Sequence, residues 1–428
     1  MRSTMKTFRE LTIVILAFST GCGVFFPRAG QSFPTAGATN TPHLVVATET
    51  LTVDLDTPTP LLIPSSTAKL RPTMIPTLIA SPTAYNPCAV STPSDLSSMS
   101  VAFVAKWDGD LEIYVVYADG SELTQLTSNT IDDVAPTWSP DGNKIAYVSE
   151  RGPKPGQLFV MNSNGSDTRP LTPDLFAIDP LAWSPDGHHI AFEGINVGAN
   201  DFYVINLDNA SLVNLTQNRA YVGLNSLTWS PNGDALAFDA GLDPSGSMRI
   251  VVIAKSDGTG LQELLQPDAF SNDSFPQWHP ADQMILFISA PGLSSGPEQL
   301  YLMNPDGSGR QQLTSVDTLK TLALWSPNGQ MIAYGAVTYT IDSQANYNIL
   351  NTMINVLSRD GTNQGTMVEG KELQSAMFSW APDNRHLAVI STESGITNRY
   401  DLYVADICDK SAYIIAKNVS NRAPSWKP

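Results

Sequence analysis

Apolar residues in this chain come in short runs, without the 3.6-residue spacing of an amphipathic helix. Ile190-Ala191-Phe192 is typical. Trp183 stands just before it, and Ser184-Pro185-Asp186-Gly187 lies between them. That tetrapeptide has the composition of a tight turn, in which Pro presets φ and Gly accepts a positive one. Further strands are marked by β-branched and aromatic runs such as Gln157-Leu158-Phe159-Val160-Met161, followed by a hairpin pair, Asn164-Gly165. A short segment ending in Leu-Thr (Leu171-Thr172, Leu215-Thr216, Leu313-Thr314) closes the unit. The pattern predicts a four-stranded antiparallel unit and an all-β chain.

The unit repeats. Trp138, Trp183, Trp229, Trp278, Trp325, Trp380 and Trp426 share one phase, at intervals of 45, 46, 49, 47, 55 and 46 residues. A period in the forties marks a propeller or solenoid of stacked units. Before Trp138, residues from Ser98 supply three strands but no turn of the Trp-Ser-Pro-Asp-Gly kind. At the other end, Pro424-Ser425-Trp426 stops where such a turn would start. The expected fold is a seven-bladed β-propeller over residues 98–428, closed by pairing its N- and C-terminal strands, which hides the sheet edges. Six or eight blades would require a degenerate repeat; the 55-residue unit, with its insertion around 338–348, is the loosest.

The first 97 residues are a different material. Arg2, Lys6 and Arg9 precede an apolar stretch, Leu11 to Phe18, too short for a membrane span. Residues 1–21 read as an export signal. Ser19-Thr20-Gly21-Cys22 resembles the bacterial lipobox, with Ser19 where that motif usually has Leu, and the resemblance implies lipid attachment at Cys22. Residues 22–97 read as a flexible stalk; 23–97 hold 11 of the 31 prolines and 13 threonines, a composition that cannot bury a core. Two further cysteines, Cys88 and Cys408, fit a single disulfide in an exported protein. The expected location is exported and membrane-anchored, facing the periplasm or cell exterior.

Trp-Ser-Pro-Asp-Gly, an Ile-Ala-Phe strand, an Asp-Gly hairpin and Leu-Thr together resemble the repeat of TolB-type β-propellers, over residues 98–428. TolB proteins are periplasmic, with a small α/β domain before a six-bladed propeller that binds a peptidoglycan-associated lipoprotein. This chain departs from them, with a lipid signal and stalk in place of the α/β domain and seven blades expected, so the resemblance is one of repeat type and implies no Tol-system role. Similar blades also cover the active sites of prolyl-oligopeptidase-type peptidases, and fold does not fix function.

Catalytic signals are sparse. Gly292-Leu293-Ser294-Ser295-Gly296 spells G-x-S-x-G, but no α/β hydrolase domain surrounds it. The five histidines (His43, His188, His189, His279, His386) form no zinc-type pair. Aspartate-rich turns such as Asp108-Gly109-Asp110 lack the full EF-hand spacing. The sequence therefore predicts no catalytic residue, no metal and no cofactor.

In this fold the segment before each tryptophan enters the innermost strand, at one mouth of the central channel. Asp132, Asp133, Asp179, Asn225 and Asp273 occupy those segments and are the binding candidates. A net charge of −17 argues against nucleic acid and anionic lipid surfaces and favours a basic partner. The leading expectation is a monomeric, non-catalytic, lipid-anchored scaffold binding an envelope protein or peptide. A carbohydrate- or cell-wall-binding propeller is the first alternative, with Phe176, Tyr221 and Phe275 as stacking candidates; a propeller hydrolase or lyase is the second.

Overall fold

The computed structural model describes Cys88 and residues 95–428, apart from short segments in the loops (151–155, 173–174, 197–198, 218, 220, 244–247, 265–270, 292–296, 342–346, 371–376 and 393–398). Cys22, the stalk through 87 and the G-x-S-x-G segment lie outside the described residues.

The described residues form seven blades. Blade 2 runs Asp132–Trp138, Lys144–Glu150, Gln157–Asn162, Arg169–Pro170 from the inside out, each strand antiparallel to the last. Blade 3 (Phe176–Trp183, His189–Asn196, Ala199–Asn206, Leu212–Asn214) and blade 4 (Val222–Trp229, Ala235–Gly241, Arg249–Lys255, Gln262–Glu263) repeat this order. So do blade 5 (Ser271–Trp278, Ile285–Pro291, Gln299–Met303, Gln311–Gln312) and blade 6 (Leu319–Trp325, Met331–Ile341, Tyr347–Ser358, Asn363–Gly370). Blade 7 comprises Met377–Trp380, His386–Thr392, Tyr400–Asp406 and Ser411–Val419. Blade 1 is composite. Its outer strands are Ser100–Ala105, Glu112–Tyr117 and Thr124–Gln125, while its innermost strand is Ser425–Trp426, paired as Val101↔Trp426 and Ala102↔Ser425. Each innermost strand touches that of the next blade, round to the start, so the ring is closed. The insertion expected in blade 6 lengthens its second and third strands into a hairpin of 11 and 12 residues.

The second strand of each blade reads as a continuous apolar run because both of its faces are buried. In blade 2, Ile145 and Tyr147 face a cluster with Ala102 and Ile113 of blade 1. Ala146 and Val148 face Trp183, Ile190 and Phe192 of blade 3. The core is thus a set of inter-blade layers rather than one centre. The tryptophans stitch these layers together: Trp183 Nε1 donates to the Thr137 carbonyl (3.1 Å), Trp229 to Ala182 (3.0 Å), Trp380 to Leu324 and Trp426 to Ser379 (both 3.1 Å). Trp138 closes the circuit onto Ser425 (3.2 Å). Trp278 and Trp325 are buried with no partner for Nε1 among the described residues.

The repeated turn folds as its residues dictate. In blade 2, Asp141 accepts from the Ser139 hydroxyl and the Asn143 amide, while Gly142 sits at φ 66°. The Leu-Thr ending also has a mechanical reason. Thr127, Thr172, Thr216 and Thr314 each accept, at Oγ1, an amide of the neighbouring third strand. At the hairpin, Gly165 (φ 82°) lies so close to Leu126 of blade 1 that a Cβ would come within 2.8 Å of its carbonyl oxygen. Only glycine satisfies both demands.

Candidate functional site

The innermost strands run parallel, so their starts crowd one face, together with the loops joining second to third strands. Each inner strand of blades 2 to 6 carries a register shift shortly before its tryptophan: Val134/Thr137, Ile178/Leu181, Asn225/Leu227, Ser274/Gln277 and Lys320/Ala323. In three blades a non-glycine residue stands in the left-handed region there: Ala135 (φ 56°), Ser226 (φ 43°) and Phe275 (φ 52°). Such bulges re-aim side chains and are frequent beside functional sites. Pro136 and Pro276, which cannot donate to a ladder, follow two of these residues and are the sequence signal for them.

The predicted mouth residues separate once placed. Asp132 is half-buried, and its Oδ1 accepts the Leu111 amide at 2.8 Å. Asp133 is 1% exposed, and its Oδ2 accepts from Asn129 Nδ2 at 2.7 Å. Burial raises its carboxyl above the usual aspartate range. Asp273 is equally buried, held by Ser289 Oγ and Arg310, both at 2.6 Å. Arg310 in turn lies over the Phe287 ring, 4.7 Å from its centre. Asn225 is half-buried in the bulge of blade 4. Asp179 lies in the first strand of blade 3, and its side chain is outside the described residues. The mouth is therefore polar, but Asp133 and Asp273 are engaged within the blades. Of the aromatic candidates, Phe176 is exposed, Phe275 is buried, and Tyr221 donates to Glu263 at 2.7 Å.

An open cleft of about 310 Å³ lies on this face at the closure seam between blades 7 and 1. Its lining includes Lys106, Leu111, Arg399, Tyr400, Asn418 and Asn421. Arg399 Nε is buried without a hydrogen-bond partner among the described residues. Trp107, the tryptophan out of phase with the repeat, ties the seam together by donating to the Lys417 and Asn418 carbonyls at 3.1 and 3.0 Å. Sequence reasoning missed this cleft because its walls come from opposite ends of the chain.

Two further features stand on the same face. Glu298 and Lys320 meet where blades 5 and 6 adjoin: Glu298 accepts the Lys320 amide, and Lys320 Nζ donates to the Val316 and Thr318 carbonyls. Burial pushes Glu298 up to about 7 and Lys320 down to about 8. In blade 1, Asp108, Asp110 and Glu112 bring carboxylate oxygens within 4.8 Å of one another. The described histidines are occupied in turns. His188 faces Asp208, His386 faces Asp383, His189 lies beside Asn206, and His279 reaches the Gly329 carbonyl while its ring abuts Trp325.

Cys88 and Cys408 are disulfide-bonded, joining the segment before blade 1 to blade 7.

Residues 91–175 match the family described as the TolB beta propeller domain. The propeller is TolB-like. A TolB homolog of Chlorobium luteolum is 40% identical over 67 residues, which is 16% of this chain and 15% of that relative. The TolB-like chain thus matches only a small part of its relatives' length. Among solved structures, the β-propeller domain of the trilobed protease of Pyrococcus furiosus, which has an open velcro topology, superposes with a TM-score of 0.54. It is 14% identical, covering 74% of this chain and 95% of that one. The oligogalacturonate lyase of Vibrio parahaemolyticus gives 0.52 at 15% identity, covering 74% and 84%. At such identities these neighbours speak for the fold of the TolB-like chain alone.

Proposed function

We propose that this TolB-like propeller is a non-catalytic binding scaffold of the cell envelope that holds a protein or peptide segment on the face where its inner strands begin. The observation that carries this is the seam cleft: an open, partly apolar recess with two basic groups, Lys106 and Arg399, set in a rigid closed ring. Concave sites with a few placed polar groups on a rigid frame suit segment recognition. The export signal at 1–21, lipid attachment at Cys22 and the stalk at 22–97 complete the reading as a tether holding 98–428 away from a membrane. The charge of the partner follows the cleft rather than the whole molecule. Asp273 is paired with Arg310 and Asp133 is buried, so neither offers an open charge, and an acidic side chain or a chain-terminal carboxylate is the group that Lys106 and Arg399 select.

The test is a cross-linking capture with the full chain immobilised and exposed to solubilised envelope of its source cells. A defined protein should be retained by the native chain and by Arg169→Gln, an exposed change on the rim of blade 2, and lost by Lys106→Gln/Arg399→Gln. Equal retention by the cleft variant would refute the placement. Capture of glycan alone would refute the protein-binding reading.

A further inference from the structure

The loop between the second and third strands of blade 1, Lys106 to Leu111, does several things at once. Lys106 and Leu111 wall the cleft, the Leu111 amide holds Asp132, and the Asp133 amide donates to the Leu111 carbonyl at 2.6 Å. Between these contacts lie Asp108, Asp110 and Glu112. Glu112 is 0% exposed, and its Oε1 accepts the Asn129 amide at 2.6 Å. Its Oε2 is buried with no hydrogen-bond partner among the described residues, as are Asp110 Oδ2 and Asp133 Oδ1.

Comparison within the molecule shows how unusual this is. Glu112 occupies the position that is Asp201 in blade 3 and Gln299 in blade 5. Asp201 is satisfied on both oxygens, by Thr216 Oγ1 and Asn214 Nδ2. Gln299 accepts from Thr314 and donates to the Val316 carbonyl. Asp401 in blade 7 also keeps one oxygen unpartnered, but belongs to no group of three carboxylates. Three other buried carboxylates are matched with arginine: Asp239 with Arg249, Asp273 with Arg310, Asp406 with Arg385, while Glu193 accepts from Asn200 Nδ2. No lysine or arginine forms an ion pair with Asp108, Asp110, Glu112 or Asp133 among the described residues. Buried carboxylate oxygens that accept no hydrogen bond and face one another are costly to keep from water, and a cation among them offsets that cost.

We propose that Asp108, Asp110 and Glu112 bind a divalent cation of the calcium class, which fixes the 106–111 loop and with it one wall of the seam cleft. Carboxylate oxygens alone, without nitrogen or sulfur donors, suit a hard cation. Spacing at every second residue places the three groups on one loop and strand start, with Glu112 as the buried base and Asp108 at the solvent edge. The competing arrangement is a proton shared by Glu112 and Asp133, with no ion. The inference does not depend on what the cleft binds.

The full chain, stripped with chelator, would be followed by thermal melting against calcium and by terbium luminescence. Trp107 and Tyr114, adjacent to the site, serve as antennae. Calcium should raise the melting temperature and displace terbium, with half-saturation on the order of 10⁻⁴–10⁻³ M, as for extracytoplasmic modules. Asp110→Asn and Glu112→Gln should weaken this at least about tenfold, the effect of deleting one charged ligand at roughly 1.4 kcal/mol or more. Asp108→Asn, at the exposed edge, is the variant that keeps the test open should Glu112→Gln fail to fold. A native chain indifferent to calcium, magnesium and terbium, with Glu112→Gln melting higher, would overturn the proposal in favour of the shared proton. Undiminished calcium shifts in Asp108→Asn and Asp110→Asn would also overturn it, by placing the ion elsewhere.

Discussion

Trp183 and Trp278 occupy the same position in the repeats of blades 3 and 5, yet a Trp→Phe change should affect them differently. Both are largely buried, so each substitution leaves a void the size of the lost ring, costing about 1 kcal/mol at roughly 24 cal/mol per Å³. At Trp183 the change also removes the bond to the Thr137 carbonyl and strands that acceptor between blades 2 and 3, adding about 1 kcal/mol. At Trp278 there is no bond to lose, because its Nε1 is buried and unpartnered. Removing an unsatisfied donor returns about 1–3 kcal/mol, which offsets the void. Trp183→Phe should therefore destabilise by about 2 kcal/mol, while Trp278→Phe lies near zero. Urea unfolding followed by fluorescence and by circular dichroism, with slopes compared to confirm one transition, measures the difference. Equal losses would mean that void formation alone decides the matter and that the inter-blade bonds contribute nothing net. A larger loss at Trp278 would contradict the unpartnered indole.

Three other outcomes follow from the same structure. Cys88→Ser/Cys408→Ser should lower stability by up to about 5 kcal/mol in the chain-entropy picture, since the bond spans 320 residues; a reductant-independent urea midpoint in the native chain would refute a structural bridge. Glu298 has its folded-state value raised from 4.5 to about 7, so its stabilising contribution is full below 4.5 and is lost as pH rises through 7. Glu298→Gln should then melt higher than the native chain at pH 8.5 and close to it at pH 4.5; a loss at pH 8.5 would show that the ionised pair with Lys320 is net stabilising. If the seam cleft takes a carboxylate, capture by the native chain should fall steeply with salt, and the residual capture by Lys106→Gln/Arg399→Gln should not.

What the sequence made legible is what each repeat needs for itself. Ser139-Pro140-Asp141-Gly142 forms its turn from local hydrogen bonds. Ile-Ala-Phe is buried on both faces because a blade has a neighbour on each side. Leu-Thr recurs because one hydroxyl serves one amide of the adjoining strand. All of these recur with the period, and periodicity made them visible. The site is made from what does not recur. Asp133 and Asp273 look alike in the sequence, five residues before a tryptophan, yet one has Arg310 from its own blade's hairpin and the other has no basic partner. Whether a mouth carboxylate is open to a ligand depends on residues in other strands, which no position-by-position reading supplies. The seam cleft is the extreme case: Lys106 and Arg399 are 293 positions apart and adjoin only because the ring closes. The composite blade, predicted from a missing strand at one end and a truncated phrase at the other, is thus also what creates the cleft. The repetition is interrupted in blade 1, with its out-of-phase Trp107, its three clustered carboxylates and its borrowed inner strand, and both the proposed cleft site and the proposed cation site draw on that interruption.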